Sequence, residues 1–114
     1  MVIYMNSKTS DTPLVCDMDV FTPPEREDHI QSTIQLYQSV QRINEVENGY
    51  EFTFPNESEI IIKLGRFISN ERLCCPFLEF MLKIISNNSP ISLILTGPEG
   101  TQEFLRAEFR EAFL

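Results

Sequence analysis

The three cysteines are the residues with the most distinctive chemistry in this sequence. Cys74 and Cys75 are neighbours, and Cys16 lies near the start of the chain. Thiolates prefer Cu(I), Zn(II) and other soft or thiophilic ions over the ions that favour oxygen ligands. Three converging thiols would form a site for such an ion, and His29, Glu71 or water could supply the fourth ligand that tetrahedral zinc requires.

Two residues beside the cysteine pair support the same hypothesis. Glu71 precedes Cys74 by three residues, which places both on one helical face, where the carboxylate can bind an ion or a backbone N–H. Arg72 can offset the negative charge that a thiolate would bring to the C-terminal end of a helix. We therefore predict Cys16, Cys74 and Cys75 as metal ligands, with Glu71 and Arg72 as supporting residues.

A structural role for the cysteines is the competing interpretation. The sequence holds no Cys-x-x-Cys spacing, and adjacent side chains in an extended segment point to opposite faces, which predicts one buried and one accessible thiol. Cysteine is among the most frequently buried residue types. His29, the single histidine, is interpreted as a partly exposed helix residue. The alternative function is therefore a protein-interaction module or homo-oligomer with buried structural cysteines and no catalytic activity.

The sequence offers no recognisable catalytic or cofactor-binding pattern. Residues 96–100 join a predicted strand to a predicted helix, but they lack the spacing of a phosphate-binding loop, and Glu99 would repel an anion there. No Ser-His-Asp set or paired-carboxylate spacing stands out in so acidic a chain. We predict no catalytic residues and no cofactor other than a thiophilic metal ion.

The composition predicts a single soluble domain. The chain has 114 residues, 42% hydrophobic and 23% charged, and its 9 Lys and Arg against 17 Asp and Glu give a net charge of −8. Nucleic-acid binding depends on Lys and Arg at the phosphates, so the acidic balance argues against it. The sequence shows no basic export signal and nothing near the roughly 20 apolar residues of a membrane span, so we expect a cytoplasmic protein with free thiols.

Local patterns predict the elements that must position the cysteines. Residues 1–13 are polar and predict a flexible N-terminal arm, and the domain then covers residues 14–114. The predicted order is a strand over 14–21, a helix over 23–39, a hairpin of 40–46 and 50–54, a helix over 57–73, a hairpin of 77–85 and 91–95, and a helix after residue 100. This order favours a two-layer α+β fold, in which a mainly antiparallel sheet of about five strands is covered by three helices.

Cap and turn residues mark several of these boundaries. Thr22 with Glu25 and Asn56 with Glu59 predict capping boxes at two helix starts, and the Asn-Gly pair at 48–49 predicts a tight hairpin turn. The predicted inward stripe of the first helix is Ile30, Ile34 and Tyr37, continued by Val40 or Gln41. The predicted aromatic core is Phe52, Phe54, Phe67, Phe80, Phe104 and Phe109.

Residues 71–80 (ERLCCPFLEF) and 95–105 (LTGPEGTQEFL) carry a resemblance to a known group. They resemble small uncharacterised prokaryotic proteins with an ERxCCPFxxF core and an LTGPEGxxEFL ending. An early cysteine before a Thr-Pro helix start is also usual in that group, and Cys16 before Thr22 and Pro23 is similar. The resemblance covers most of residues 14–109. It implies no established activity, but the association of such modules with heavy-metal-responsive genes implies a thiol site without supplying a mechanism.

Overall fold

The helices and strands follow one another in the predicted order from the first helix onward. The computed structural model describes residues 14–86 and 89–113, so the predicted arm over 1–13 lies outside the described residues. The helices are α1 (Pro23–Tyr37), α2 (Ser58–Cys74) and α3 (Thr101–Glu108). The strands are β1 (Arg42–Val46), β2 (Gly49–Phe54), β3 (Glu79–Lys83) and β4 (Ile91–Thr96). The α+β class is therefore confirmed.

The four strands form one antiparallel sheet in the order β1-β2-β4-β3. One face, called here the covered face, carries side chains that are at most 4% exposed on the two central strands: Tyr50, Phe52, Phe54, Ile91, Leu93 and Leu95. The other, called the open face, is more polar and includes Asn44, Glu51, Thr53 and Ser92. This alternation is the period of two that a sheet covered on one side requires.

The helices cover the face that carries the phenylalanines. Tyr37 of α1 meets Phe52 edge-on, with ring centroids 5.2 Å apart, and stacks on Phe109 at 4.5 Å. Phe67 of α2 meets Phe80 of β3 at 6.5 Å. Of the six predicted core aromatics, Phe80 alone is only half-buried, because it lies on an edge strand. Aromatic rings in edge-on and stacked contact thus fill the space between the layers.

The predicted first strand over residues 14–21 is wrong, and within the described ranges the sheet has four strands, where about five were predicted. Residues 14–17 run without regular structure, and a short 3₁₀ helix, Met18–Val20, follows. The side chain of Asp17 accepts a hydrogen bond from the backbone N–H of Asp19 at 2.9 Å, which turns the chain out of an extended path. The backbone N–H of Asp17 donates to the carbonyl of Cys74 at 2.7 Å, so this segment contacts the end of α2.

Of the two predicted capping boxes, the one at Thr22 is confirmed. Its hydroxyl accepts from the Glu25 N–H at 3.3 Å, and the Glu25 carboxylate accepts from the Thr22 N–H at 2.8 Å. The second box is wrong, because α2 has Glu57 as its N-cap and no side-chain cap. The Asn56 amide donates instead to the carbonyls of Ile85 and Ser89, at 2.8 and 2.9 Å. It therefore connects the start of α2 to the β3–β4 loop.

The predicted hairpin of β1 and β2 is confirmed, but its two turn residues are Glu47 and Asn48, not the predicted Asn-Gly pair. Asn48 has a φ of 56°, in the left-handed region that asparagine tolerates. Gly49 then opens β2, and a Cβ at that position would overlap the carbonyl oxygen of Leu95 on the neighbouring strand. Asn48 thus serves the tight turn, and Gly49 allows the close approach of two backbones.

The buried face of α1 differs from the predicted stripe. Tyr37 of the predicted stripe is buried, but Ile34 is 38% exposed and Ile30 is half-buried, and His29 and Leu36 are buried instead. Residues at spacings of seven and eight share one helical face, so the true stripe lies about one position away from the predicted one. This rotation brings the single histidine into the interior.

Candidate functional site

Cys16 and Cys75 form a disulfide bond, with Cα atoms 4.4 Å apart. Cys75 follows the last residue of α2 and leaves the helical conformation, with φ −121° and ψ 73°, as expected for a residue before proline. Both cysteines are 0% exposed. The expectation of three free thiols is therefore wrong for Cys16 and Cys75, and the cytoplasmic location stays a prediction.

Cys74 is a free thiol that lies against this disulfide. Its Sγ atom is 3.6 Å from the Sγ of Cys75, and the residue is only 1% exposed. The prediction that one thiol of the pair is buried and the other accessible is wrong, since both are buried. Cys74 is still helical while Cys75 has left the helix, so the alternation of a strand does not apply and the two sulfurs lie together. All three cysteines form one cluster, called here the thiol cluster.

Glu71 connects the thiol cluster to the histidine. It lies one helical turn before Cys74, is 3% exposed, and its Oε1 atom is 2.9 Å from Nε2 of His29. The Cys74 Sγ atom lies 3.5 Å from the same oxygen and 3.5 Å from the Glu71 backbone carbonyl, and its single S–H donates to one of them or is shared between the two. The ligand atoms of His29, Glu71 and Cys74 all lie within 4.8 Å of one another. Three types of metal-binding group therefore converge beside the disulfide.

His29 is held in the interior by aromatic neighbours. It is 4% exposed and lies between Phe21 and Phe67, with ring centroids 5.3 and 6.2 Å away. The interpretation of His29 as a partly exposed residue is wrong. Leu36 and Tyr37 follow His29 by seven and eight residues, and this spacing is the sequence signal that places His29 on the same helical face.

The electrostatic surroundings hold Cys74 in its protonated form. Burial raises the pKa of the Cys74 thiol far above its ordinary value, and the charge of Glu71 and the hydrogen bond to Glu71 raise it further. At neutral pH the group is a thiol, which is a poor nucleophile. This environment disfavours nucleophilic catalysis, but it does not prevent binding of an ion that displaces the proton.

A cavity of about 220 Å³ lies beside the His29–Glu71 pair. Four buried polar atoms that line it have no hydrogen-bond partner among the described residues: Nδ1 of His29, Oγ1 of Thr33, Oε2 of Glu71 and Oε2 of Glu108. Burial, followed by the charge of Glu71, raises the pKa of Glu108 from its ordinary 4.5 to about 7. The sequence reasoning missed Glu108, although its spacing of four from Phe104 and three from Leu105 places it near their buried face.

The two predicted supporting residues have different positions. Glu71 is buried and contacts both Cys74 and His29, as described above. Arg72 is exposed, because it lies outside the helical face of α2 that carries the buried residues Leu64, Phe67, Glu71 and Cys74. The structure therefore brings together the predicted ligands and Glu71, and directs Arg72 toward solvent.

None of the helices in the described ranges is long and apolar enough to cross a membrane. The chain was also compared with protein-family models, with curated proteins and with solved structures. None of the three comparisons finds a match.

Proposed function

We propose that this chain binds a thiophilic metal ion through Cys16, Cys74 and Cys75 when the Cys16–Cys75 disulfide is reduced. The observation that carries the proposal is the 3.6 Å separation of the Cys74 and Cys75 sulfurs, the second of which is bonded to Cys16. Two thiolates that share an ion through bonds of roughly 2.3 Å lie about 3.5 to 4 Å apart. The sulfurs are thus already close to the spacing that coordination needs.

Binding requires a reduction step followed by proton release. A dithiol reductant supplies two electrons and two protons, so that the bond between Cys16 and Cys75 becomes two thiols and the reductant becomes a disulfide. A soft ion then replaces the protons of the three thiols, and those protons pass to solvent. Affinity should therefore fall as the pH falls, and the raised pKa of Cys74 means that its proton still competes with the ion at neutral pH.

Glu71 and His29 influence which ions the site accepts. Soft ions bind with two or three sulfur ligands, whereas tetrahedral zinc needs a fourth ligand. The Glu71 carboxylate and the His29 imidazole lie close enough to Cys74 to supply it. Three of the available ligands are sulfur atoms, so the site favours ions that form strong bonds to sulfur over ions that prefer oxygen.

Metal uptake by the reduced protein tests this function. Titration with Cd²⁺ under anaerobic conditions, after the reductant has been removed, is expected to show one ion per chain through the ultraviolet thiolate-to-metal absorption. Substitutions of residues that surround the metal ligands typically lower metal affinity by about 10- to 100-fold. Cys16→Ser and Cys74→Ser should each lower the affinity for Cd²⁺ by more than this. Glu71→Gln should lower the affinity for Cd²⁺ by about 10- to 100-fold, because it keeps the size of the side chain while removing its charge.

Two controls make the titration specific. Arg72→Ala changes an exposed residue of the same helix and should bind Cd²⁺ as the unmodified chain does. The oxidised protein should lose most of the uptake, since the disulfide removes two of the three thiols. Circular dichroism of each variant establishes that it is folded. Unchanged stoichiometric uptake in both cysteine variants would end the proposal.

A second candidate function is supported by the disulfide itself. We propose as the alternative an interaction module in which Cys16 and Cys75 are structural, and the buried bond that joins an irregular segment to the end of α2 favours it. In that case Cd²⁺ leaves the melting temperature of the reduced protein unchanged. Under the metal-binding proposal the same ion raises it, because it binds the folded chain preferentially.

A further inference from the structure

The free edge of the sheet at β3 is rich in exposed apolar side chains. Of the eight large hydrophobic residues that are exposed among the described residues, four lie between positions 81 and 85: Met81 (61%), Leu82 (36%), Ile84 (44%) and Ile85 (48%). In the described part of the chain β3 pairs with β4 alone, so its other edge presents unpaired backbone N–H and C=O groups. A cluster of apolar side chains beside open backbone groups is typical of an association surface.

We propose that two copies of this chain associate through β3, in antiparallel orientation about a two-fold axis at Met81. This register places Glu79 opposite Lys83 of the partner subunit, and Phe80 opposite Leu82 of the partner subunit. Residues opposed in an antiparallel pair lie on the same face. The charges therefore meet on the open face, and the apolar pair continues the covered face into an eight-stranded sheet.

The other edge of the sheet does not offer this match. The same two-fold pairing of β1 about Asn44 would oppose Arg42 to Val46 of the partner subunit, and Ile43 to Glu45 of the partner subunit. Each charge would then face an apolar side chain. Charged residues on an edge strand normally block pairing with another chain. In β3, Lys83 does not block pairing, because the proposed register places Glu79 of the partner subunit opposite it. This charge complementarity identifies a second copy of the chain as the occupant of the β3 edge.

Light scattering after gel filtration tests the association in the presence of reductant, so that intermolecular disulfides do not contribute. The unmodified chain is expected to shift from monomer to dimer as its concentration rises from low micromolar to millimolar. Lys83→Glu and Glu79→Lys each turn two attractive pairs per dimer into repulsive ones. Each should weaken the dimer by about 10- to 100-fold in its dissociation constant.

A mixing experiment identifies the register. Lys83→Glu carries glutamate at both positions and Glu79→Lys carries lysine at both, so an equimolar mixture of the two restores both ion pairs across a heterodimer. The doubly substituted chain, with the two charges exchanged, should likewise dimerise as the unmodified chain does. Rescue in both cases supports the pairing of these two positions.

Other results would overturn the proposal. A chain that stays monomeric throughout the concentration range excludes the dimer, and a dimer that neither charge reversal weakens must use another surface. Ile62→Lys serves as the matched control, because Ile62 is 65% exposed on α2 and should leave the equilibrium unchanged. The inference does not depend on the thiol cluster, and Cd²⁺ titration of Lys83→Glu separates failure of one proposal from failure of the other.

Discussion

Reduction of the Cys16–Cys75 disulfide is expected to lower the free energy of unfolding by about 4 kcal/mol, which is the loop-closure effect of a bond that joins residues 59 positions apart. The bond also holds the irregular segment that contains the fully buried Leu14 against the end of α2. Urea unfolding followed by circular dichroism, with and without reductant, measures the loss. Circular dichroism is the suitable signal because the chain has no tryptophan.

The cysteine variants separate this effect from other actions of the reductant. Cys16→Ser should resemble the reduced chain and respond no further to reductant. Cys74→Ser should keep the response, because Cys74 takes no part in the bond. Equal urea midpoints for the oxidised and reduced chains would show that the disulfide contributes nothing to stability.

Glu108 is expected to make the fold less stable as the pH rises from about 4.5 to about 7. Its pKa is about 7 in the folded chain against an ordinary value of 4.5. Between these values the folded state keeps a proton that the unfolded state has lost, so ionisation in the fold is unfavourable and stability declines with pH. The decline amounts to at most roughly 3 kcal/mol and levels off above pH 7.

Replacement of Glu108 by glutamine should remove this decline. Glu108→Gln is expected to match the unmodified chain below pH 4.5 and to be more stable by roughly 2 to 3 kcal/mol above pH 7. Glu103→Gln is the matched control, since Glu103 lies on the same helix and is exposed. Urea unfolding across this pH range compares the three chains. Parallel profiles for Glu108→Gln and the unmodified chain would contradict the prediction.

The sequence predicts well those features whose causes are local. The capping box at Thr22 and the turn at Asn48 depend on residues within three positions of one another, and both are confirmed. The core phenylalanines of β2 follow from simple alternation along one strand. The capping box at Asn56 fails because a distant loop offers that side chain two carbonyl groups, a partner that no local pattern reveals.

The thiol cluster is predicted only in part. The cysteines and Glu71 could be named from residue type and helical spacing, because Cys74 and Glu71 share one helix. The partner of Cys75 depends on where the segment before α1 meets the end of α2, which is a tertiary contact. The burial of His29 depends on the rotation of α1 against α2 and the sheet. Glu108 enters the site from the far end of the chain, so sequence proximity gave no indication of it.

The strand order β1-β2-β4-β3 also affects how the domain folds. The hairpin of β1 and β2 contributes the central strand β2, and the hairpin of β3 and β4 contributes the central strand β4. These two central strands pair at six positions, from Gly49 with Thr96 to Phe54 with Ile91. Neither half of the chain can bury its own phenylalanine and leucine rows without the other. The β2–β4 pairing that joins the two halves therefore lies in the most buried part of the molecule. Because of this topology, we expect the whole domain to fold cooperatively.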